Sequence, residues 1–120
     1  MDENIAAKLD GCKDLSDIDL SGADLSGADL TGTNISDVNF SGANLTNVNF
    51  SGSTFSDVNF SGANLSGANF SGSTFSDANF SGAILADSDI SGSNFSDTSF
   101  SGAVLSNANL SGSNISDDDK

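Results

Sequence analysis

A large apolar side chain stands at every fifth position along most of this chain. Each position divisible by five from Leu15 to Ile115 is Leu, Ile or Phe, and all nine phenylalanines belong to this set. A helix needs apolar residues three and four apart, and a half-buried strand needs continuous alternation, so neither template matches a period of five. The period instead predicts very short extended pieces separated by corners, with one backbone shape repeated along the chain.

The residues around each large side chain indicate how one unit of five is built. In "GANL", Ala43 and Leu45 are two apart and point to the same side of an extended segment, with Asn44 directed outward. Two positions after each large residue the sequence has Gly, Asp or Asn, which suit a turn with positive φ. Asp recurs at these corners every twenty residues from Asp17 to Asp117. Four units of five therefore make one turn of a larger structure.

The repeated segments resemble the pentapeptide repeat family. The resemblance is carried by "ADLSGADLTG" at 23–32 and "ANLSGANFSG" at 63–72, and it covers about residues 15–117. It implies an all-β protein, a right-handed quadrilateral parallel β-helix of about five coils with 20 residues each. The large residue, and the small one two places before it, would face inward. Ile84 and Val104 depart from the pattern, because the family usually has an outward polar residue at their positions.

The repeat divides the chain into three parts. Residues 1–14 are out of phase and predict an N-terminal leader or cap, with a disordered leader as the alternative. Residues 15–117 form the predicted solenoid, and residues 118–120 are an acidic tail. The start of the chain has no basic segment followed by an apolar run, and no 18 apolar residues follow one another, so we expect a cytoplasmic location. The single Cys12 has no internal disulfide partner.

Composition argues against catalysis and against binding to anionic polymers. Seventeen acidic residues stand against three basic ones, a net charge of −14, which disfavours direct binding to nucleic acid or to an anionic membrane. The chain has no His, Tyr, Trp or Arg, so its many serines lack the usual base. We therefore predict no enzyme activity, no catalytic residues, no cofactor and no dedicated metal site.

Two outward columns are expected from the 20-residue period. We interpret the acidic column as a solvated corner that keeps the rod soluble, with a weak cation ladder as the alternative. Its members are Asp17, Asp37, Asp57, Asp77, Asp97 and Asp117. Asparagines in other columns, such as Asn39 and Asn59, predict amide ladders along the rod axis.

The functional prediction is a rigid scaffold that associates end to end. The last coil has no apolar segment after it comparable to residues 1–14, so its strand edges are a template for another chain. The predicted end-to-end interface consists of Phe100, Leu105, Leu110 and Ile115. The expected partner is a second copy, with a basic protein as a further candidate.

A second functional hypothesis follows from the family resemblance alone. Some bacterial members resemble duplex DNA in shape and charge and bind type II topoisomerases such as DNA gyrase. The net negative charge of this chain agrees with that role. Its distribution agrees less well, because residues 31–86 contain only three acidic residues.

Overall fold

The computed structural model describes residues 14–115, which wind into a parallel β-solenoid. Five short strands lie side by side in chain order: β1 (Asp14–Ser16), β2 (Asn34–Ser36), β3 (Thr54–Ser56), β4 (Thr74–Ser76) and β5 (Asn94–Ser96). Every neighbouring pair is parallel and offset by twenty residues, as in Leu15 opposite Ile35. β1 and β5 are thus four full turns apart, and the chain continues past β5. The predicted all-β solenoid with 20 residues per turn is confirmed.

Each turn has four faces, one for each unit of five. The five strands form face 1, and parallel bridges between residues twenty apart form the other three, as at Asn39 and Asn59, Asn44 and Asn64, and Asn49 and Asn69. Each face points one column of large side chains toward the core. On faces 1 and 2 these are Leu15, Ile35, Phe55, Phe75, Phe95 and Ile115, and Leu20, Phe40, Phe60, Phe80 and Phe100, respectively. On faces 3 and 4 they are Leu25, Leu45, Leu65, Leu85 and Leu105, and Leu30, Phe50, Phe70, Ile90 and Leu110, respectively. The transverse extents of 22 and 21 Å agree with a square cross-section.

Residues with positive φ turn the chain at the corners. Glycine has φ between 65° and 73° at twelve corners. At the corner between faces 1 and 2, Asp takes this role with φ from 50° to 57°, and Asn or Asp shares the corner between faces 3 and 4 with Gly. These are the residue types that tolerate the left-handed region. The corner residues were predicted correctly, because this backbone requirement leaves few alternatives.

Phenylalanine rings fill three of the four inward columns. Within a column the rings stack almost parallel, as in Phe60 against Phe40 (centroids 5.1 Å apart) and Phe80 (4.8 Å). Between columns they meet edge to face, as in Phe60 against Phe50 (6.2 Å) and Phe70 (5.9 Å). Both geometries add to the gain from burial. Face 3 carries only leucine, and its small inward column from Ala23 to Ala83 is buried.

A column of buried hydroxyl groups lies at the entrance to face 1. The side chains of Thr33, Ser53, Ser73 and Ser93 are at most 2% exposed. The hydroxyl of Ser73 donates to the carbonyl of Phe50 in the preceding coil (2.9 Å) and accepts from the backbone NH of Ser53 (3.2 Å). The hydroxyls of Ser53, Ser73 and Ser93 each donate to a carbonyl of the preceding coil in this way and tie two coils together, whereas that of Thr33 donates to Leu30 in its own coil. The expectation that the residue two places before each large one faces inward covers these four positions, but it does not include the hydrogen bonds between coils.

The asparagine side chains make local contacts where amide ladders were expected. The Oδ1 atoms of Asn39, Asn59 and Asn79 each accept from the backbone NH two residues later, at 2.9 Å. These are Asx turns, which stabilise the corner that follows each face. An amide contact along the rod axis occurs between Asn94 and Asn114 (3.0 Å). The asparagines thus serve mainly the turns of their own coil.

The proposed leader and tail lie largely outside the described residues. Of the predicted cap at 1–14, only Asp14 is described, and it belongs to β1. The tail at 118–120, and Asp117 of the acidic column, also fall outside residues 14–115. Across that range no helix has the length and apolarity needed to cross a membrane.

Candidate interaction surfaces

The two ends of the described solenoid differ in how well their apolar side chains are covered. In the first coil Leu25 and Leu30 are fully buried, and Leu15 and Leu20 are 2% exposed. In the last coil Leu105, Leu110 and Ile115 are only half-buried. Of the predicted interface residues, Phe100 alone is buried, at 4% exposure. Phe95, which was not predicted, is half-buried at the same end.

Among residues 14–115, some backbone donors of the last coil lack the acceptors that earlier coils have. Along the rod, the NH of each large inward residue donates to a carbonyl of the next coil, as from Leu65 to Ile84 (2.7 Å) and from Leu85 to Val104 (2.7 Å). Within residues 14–115, the corresponding NH groups of Phe100, Leu105 and Leu110 have no such acceptor. An open row of this kind accepts another strand. Among the described residues, the last coil therefore combines partly exposed apolar side chains with strand edges that have no partner on faces 3 and 4.

Asn114 covers the same edge on face 1. Its Oδ1 accepts from the backbone NH of Phe95 (2.7 Å), and its Nδ2 donates to the carbonyl of Phe95 (2.9 Å). The same Nδ2 also donates to Oδ1 of Asn94. The side-chain amide thus takes the place of the backbone of a next strand. This arrangement leaves β5 without a free edge at Phe95.

Ile84 and Val104 form an outward apolar pair on face 3. They are bridged in parallel between neighbouring coils and are 40% and 43% exposed, the large apolar side chains that are most exposed among the described residues. They thus lie in one outward column, as their separation of twenty residues requires. Val104 belongs to the last coil, so the pair extends the apolar surface of the open end onto the side of the rod.

The acidic column runs along the corner between faces 1 and 2. Asp17, Asp37, Asp57, Asp77 and Asp97 are all exposed, and the backbone NH of Asp57 donates to the carbonyl of Ser76 in the next coil (3.0 Å). Among residues 14–115 no group of three or more His, Cys, Asp or Glu side chains is placed to hold a metal ion. The positive φ of the five described members gives this column a backbone role that needs no bound cation.

Substitution of Asp57 separates the backbone role from the charge. Asp57→Asn and Asp57→Gly should change the free energy of unfolding by no more than about 0.5 kcal/mol, because both residues tolerate φ near 55°. Asp57→Ala should cost about 1–2 kcal/mol, the usual penalty for a Cβ in the left-handed region. Urea unfolding measures all three. If Asn proved as damaging as Ala, the carboxylate charge itself would be needed, which would favour the cation ladder.

The first coil carries the densest group of carboxylates. Asp19 accepts hydrogen bonds from the hydroxyl and the backbone NH of Ser21, which lower the pKa of its carboxyl group. Asp24 and Asp29 make equivalent contacts with Ser26 and Thr31. These carboxylates therefore stabilise turns, as the asparagines do in later coils.

The square cross-section, the inward Leu and Phe columns and the corners of Gly and Asp define a parallel β-solenoid built from units of five residues. Comparison with protein families agrees with this class. The chain belongs to the pentapeptide repeat family: the family model, described as "Pentapeptide repeats", matches residues 14–52, 53–92 and 83–117, with eight copies. Comparison with curated protein sequences found no significant match.

Several solved structures are similar to this chain. A pentapeptide repeat protein from the thylakoid lumen of Arabidopsis thaliana is 26% identical, with a TM-score of 0.66, and the match covers 98% of this chain and 76% of that one. A pentapeptide repeat protein from the cyanobacterium Cyanothece 51142 is 19% identical (TM-score 0.45; 88% and 82% covered). QnrB1, a plasmid-mediated fluoroquinolone resistance protein, is also 19% identical (TM-score 0.41; 88% and 83% covered).

Proposed function

We propose that this protein is a non-catalytic scaffold, a rigid acidic rod that associates with a second copy through its C-terminal coil. The observation that carries the proposal is the coincidence, at one end, of half-buried Leu105 and Leu110 with unpaired strand donors. In the first described coil, by contrast, all four large inward leucines are at most 2% exposed. Self-association would bury the exposed parts of Leu105 and Leu110 and supply partners for the strand donors.

The size of the end indicates a weak contact. Transverse extents of 22 and 21 Å give roughly 460 Å² per copy, or about 900 Å² in a complex, near the lower limit for specific interfaces. Burying a few hundred Å² of apolar surface is worth several kcal/mol, at about 25 cal/mol per Å², but association entropy offsets much of this gain. We therefore expect a complex that forms at micromolar protein or above.

Salt should strengthen this association. Asp97 lies at the open end, and Asp117, Asp118 and Asp119 follow in the sequence, so two such ends repel each other. The Debye length falls from about 14 Å at 50 mM salt to about 4 Å at 500 mM, which removes most repulsion between exposed charges. Sedimentation velocity at high micromolar protein should show more dimer at 500 mM salt than at 50 mM.

Leu105→Asp and Leu110→Asp should each abolish the dimer, because they place a charge in the contact. Asn44→Asp is the matched control: it adds the same charge at an exposed position of face 3, far from the end, and should leave association unchanged. A protein that stays monomeric at both salt concentrations would contradict the proposal and leave the rod as a simple spacer.

DNA mimicry with binding to a type II topoisomerase ranks second. Duplex DNA carries one charge per about 1.7 Å, or nearly three for each strand spacing of about 4.8 Å. The second and third coils contribute one carboxylate each, Asp37 and Asp57, whereas the first coil contributes Asp14, Asp17, Asp19, Asp24 and Asp29. The middle of the rod is therefore too weakly charged to replace a phosphate backbone. A basic protein partner, the cytoplasmic location and the absence of a cofactor stay predictions.

A further inference from the structure

We propose that the side of the rod around Ile84 and Val104 docks an amphipathic helix of another protein. The helix carries two aliphatic side chains four residues apart, a side-chain carbonyl beside them, and a lysine or arginine on its flank. The surface consists of this outward pair on face 3 and the corner that follows it, between faces 3 and 4. It lies on the side of the rod, so the proposal does not depend on association between two copies.

The corner after face 3 lacks its usual side-chain acceptor beside this pair. On faces 2 and 4 of every described coil, and on face 3 of the first three, a side-chain oxygen accepts from the backbone NH two residues later. Ile84 and Val104 have no such oxygen. Within residues 14–115 the corresponding NH groups of Ala86 and Ser106 therefore have no acceptor. These two donors lie in neighbouring coils, next to the exposed aliphatic pair.

The residues of this surface weaken the rod locally. Asn64 accepts from the NH of Ser66 (3.1 Å) and from its hydroxyl (2.8 Å), which stabilises the turn. One coil later Ile84 and Ala86 remove the acceptor and the hydroxyl together. Departures from a local rule that bring no gain in the fold are expected at functional sites. Adjoining exposed apolar side chains are likewise a mark of an interaction surface.

The backbone of face 3 favours a helix over an added strand. The NH of Leu85 donates to the carbonyl of Val104 (2.7 Å), and the NH of Val104 to that of Ala83 (2.9 Å), so this side of the rod presents no free strand edge between these coils. Ile84 and Val104 are bridge partners, about 4.8 Å apart along the rod. Side chains four apart on a helix have Cβ atoms about 5–6 Å apart. A helix along the rod therefore places one aliphatic side chain against each.

One carboxylate beside this surface determines the charge of the partner. Asp87 directly follows Ala86, is exposed and has a φ of 60°. The other described members of its corner column are neutral, namely Gly27, Asn47, Gly67 and Asn107. The only charge of this column thus lies in the coil of Ile84. A lysine or arginine on the flank of the helix complements it, and the net charge of −14 attracts a basic partner from a distance.

A synthetic peptide tests the surface directly. The probe is an alanine-rich helix of about 16 residues with two leucines four apart, a glutamine beside them and flanking lysines. In amide NMR spectra, its addition should shift the signals of Ala86 and Ser106 most. The double variant Ile84→Asn/Val104→Asn should bind the probe at least about tenfold more weakly. It should melt no lower than the parent protein, because asparagine restores the missing acceptor.

A matched double variant controls for the change to asparagine. Thr54→Asn/Thr74→Asn alters two exposed outward positions of face 1, whose column already contains Asn34 and Asn94. It should leave binding of the probe unchanged. A probe with serine in place of both leucines should not bind either protein.

Substitution of Asp87 tests the charge. Asp87→Asn keeps the corner, because Asn47 and Asn107 adopt φ of 58° and 60° in the same column. It should weaken binding of the lysine probe about threefold at 50 mM salt, with a smaller effect at high salt. Asp57→Asn, at the corner between faces 1 and 2, is the control and should have no such effect.

Each result decides one part of the proposal. No binding at millimolar probe, or equal binding by the parent protein and Ile84→Asn/Val104→Asn, would overturn the docking site. Equal binding of probes with lysine and with glutamate would overturn the basic partner. Sedimentation without peptide measures self-association separately. Loss of the dimer in Ile84→Asn/Val104→Asn would assign the pair to contact between copies and contradict the helix.

Discussion

Replacing Phe60 with Asp is expected to unfold the middle of the rod. Phe60 is fully buried and lies between Phe40 and Phe80 in its own column, with Phe50 and Phe70 facing it edge-on. Loss of a buried phenylalanine alone costs about 3–5 kcal/mol. A carboxylate at the same place adds the cost of a buried polar group without a partner. The sum approaches the whole stability of a small domain, about 5–15 kcal/mol.

Circular dichroism and urea unfolding measure this effect. The variant should lose most of its β signal at temperatures where the parent protein keeps it. Asn59→Asp is the matched control, because Asn59 points outward and Asp19 occupies the same column in the first coil. A melting temperature of Phe60→Asp within a degree or two of the parent value would mean that the inward column is misassigned.

The second large effect depends on position along the rod. Leu65→Asp should destabilise the protein by at least about 3 kcal/mol more than Leu105→Asp, although both change a leucine of face 3. Leu65 is fully buried with coils on both sides, whereas Leu105 is half-buried at the open end. In a solenoid each coil contacts only its neighbours, so a charge in the last coil disturbs one interface and a charge in the middle disturbs two. In addition, a carboxylate at position 65 must be buried, whereas one at position 105 can reach water.

Urea unfolding of both variants, followed by the far-UV signal, gives the comparison. Leu105→Asp should keep a cooperative transition close to that of the parent protein, which is also what makes it useful for testing association. Ser106→Asp, an exposed change beside Leu105, controls for the added charge. Equal destabilisation by Leu65→Asp and Leu105→Asp would show that the last coil is covered as completely as the middle.

The structure contains contacts that no pattern in the sequence separates from their surroundings. Ser73 and Ser76 are both serines in the same unit of the repeat, yet Ser73 is buried and bonded to Phe50 of the preceding coil, whereas Ser76 lies outside the core. Position two before Phe75 predicts that Ser73 faces inward. Its hydrogen-bond partner, the carbonyl of Phe50, is 23 positions away in the sequence. The two residues come close only when the chain winds into coils.

The end of the rod also contains contacts that the sequence does not predict. The sequence predicted Leu105, Leu110 and Ile115 as an open end, and the structure places all three half-buried there. It did not predict that Phe100 would be buried or that the amide of Asn114 would cover β5. Asn114 and Asn94 are preceded by the same three residues, "SGS". Only the position of Asn114 above the last strand leaves its side chain free to bond the backbone of Phe95.

The sequence by itself determined the architecture of this protein. A period of five with Gly, Asp or Asn at each corner restricts the backbone at every fifth residue, and a period of twenty in the corners sets four units per turn. These are local requirements, so they can be read from neighbouring residues. The tertiary structure alone decided which hydroxyls bond between coils and that the amide of Asn114 covers the edge of β5. Those features depend on the coils above and below, so they involve contacts between residues about twenty positions apart. Every coil makes such contacts on both sides except the first and the last.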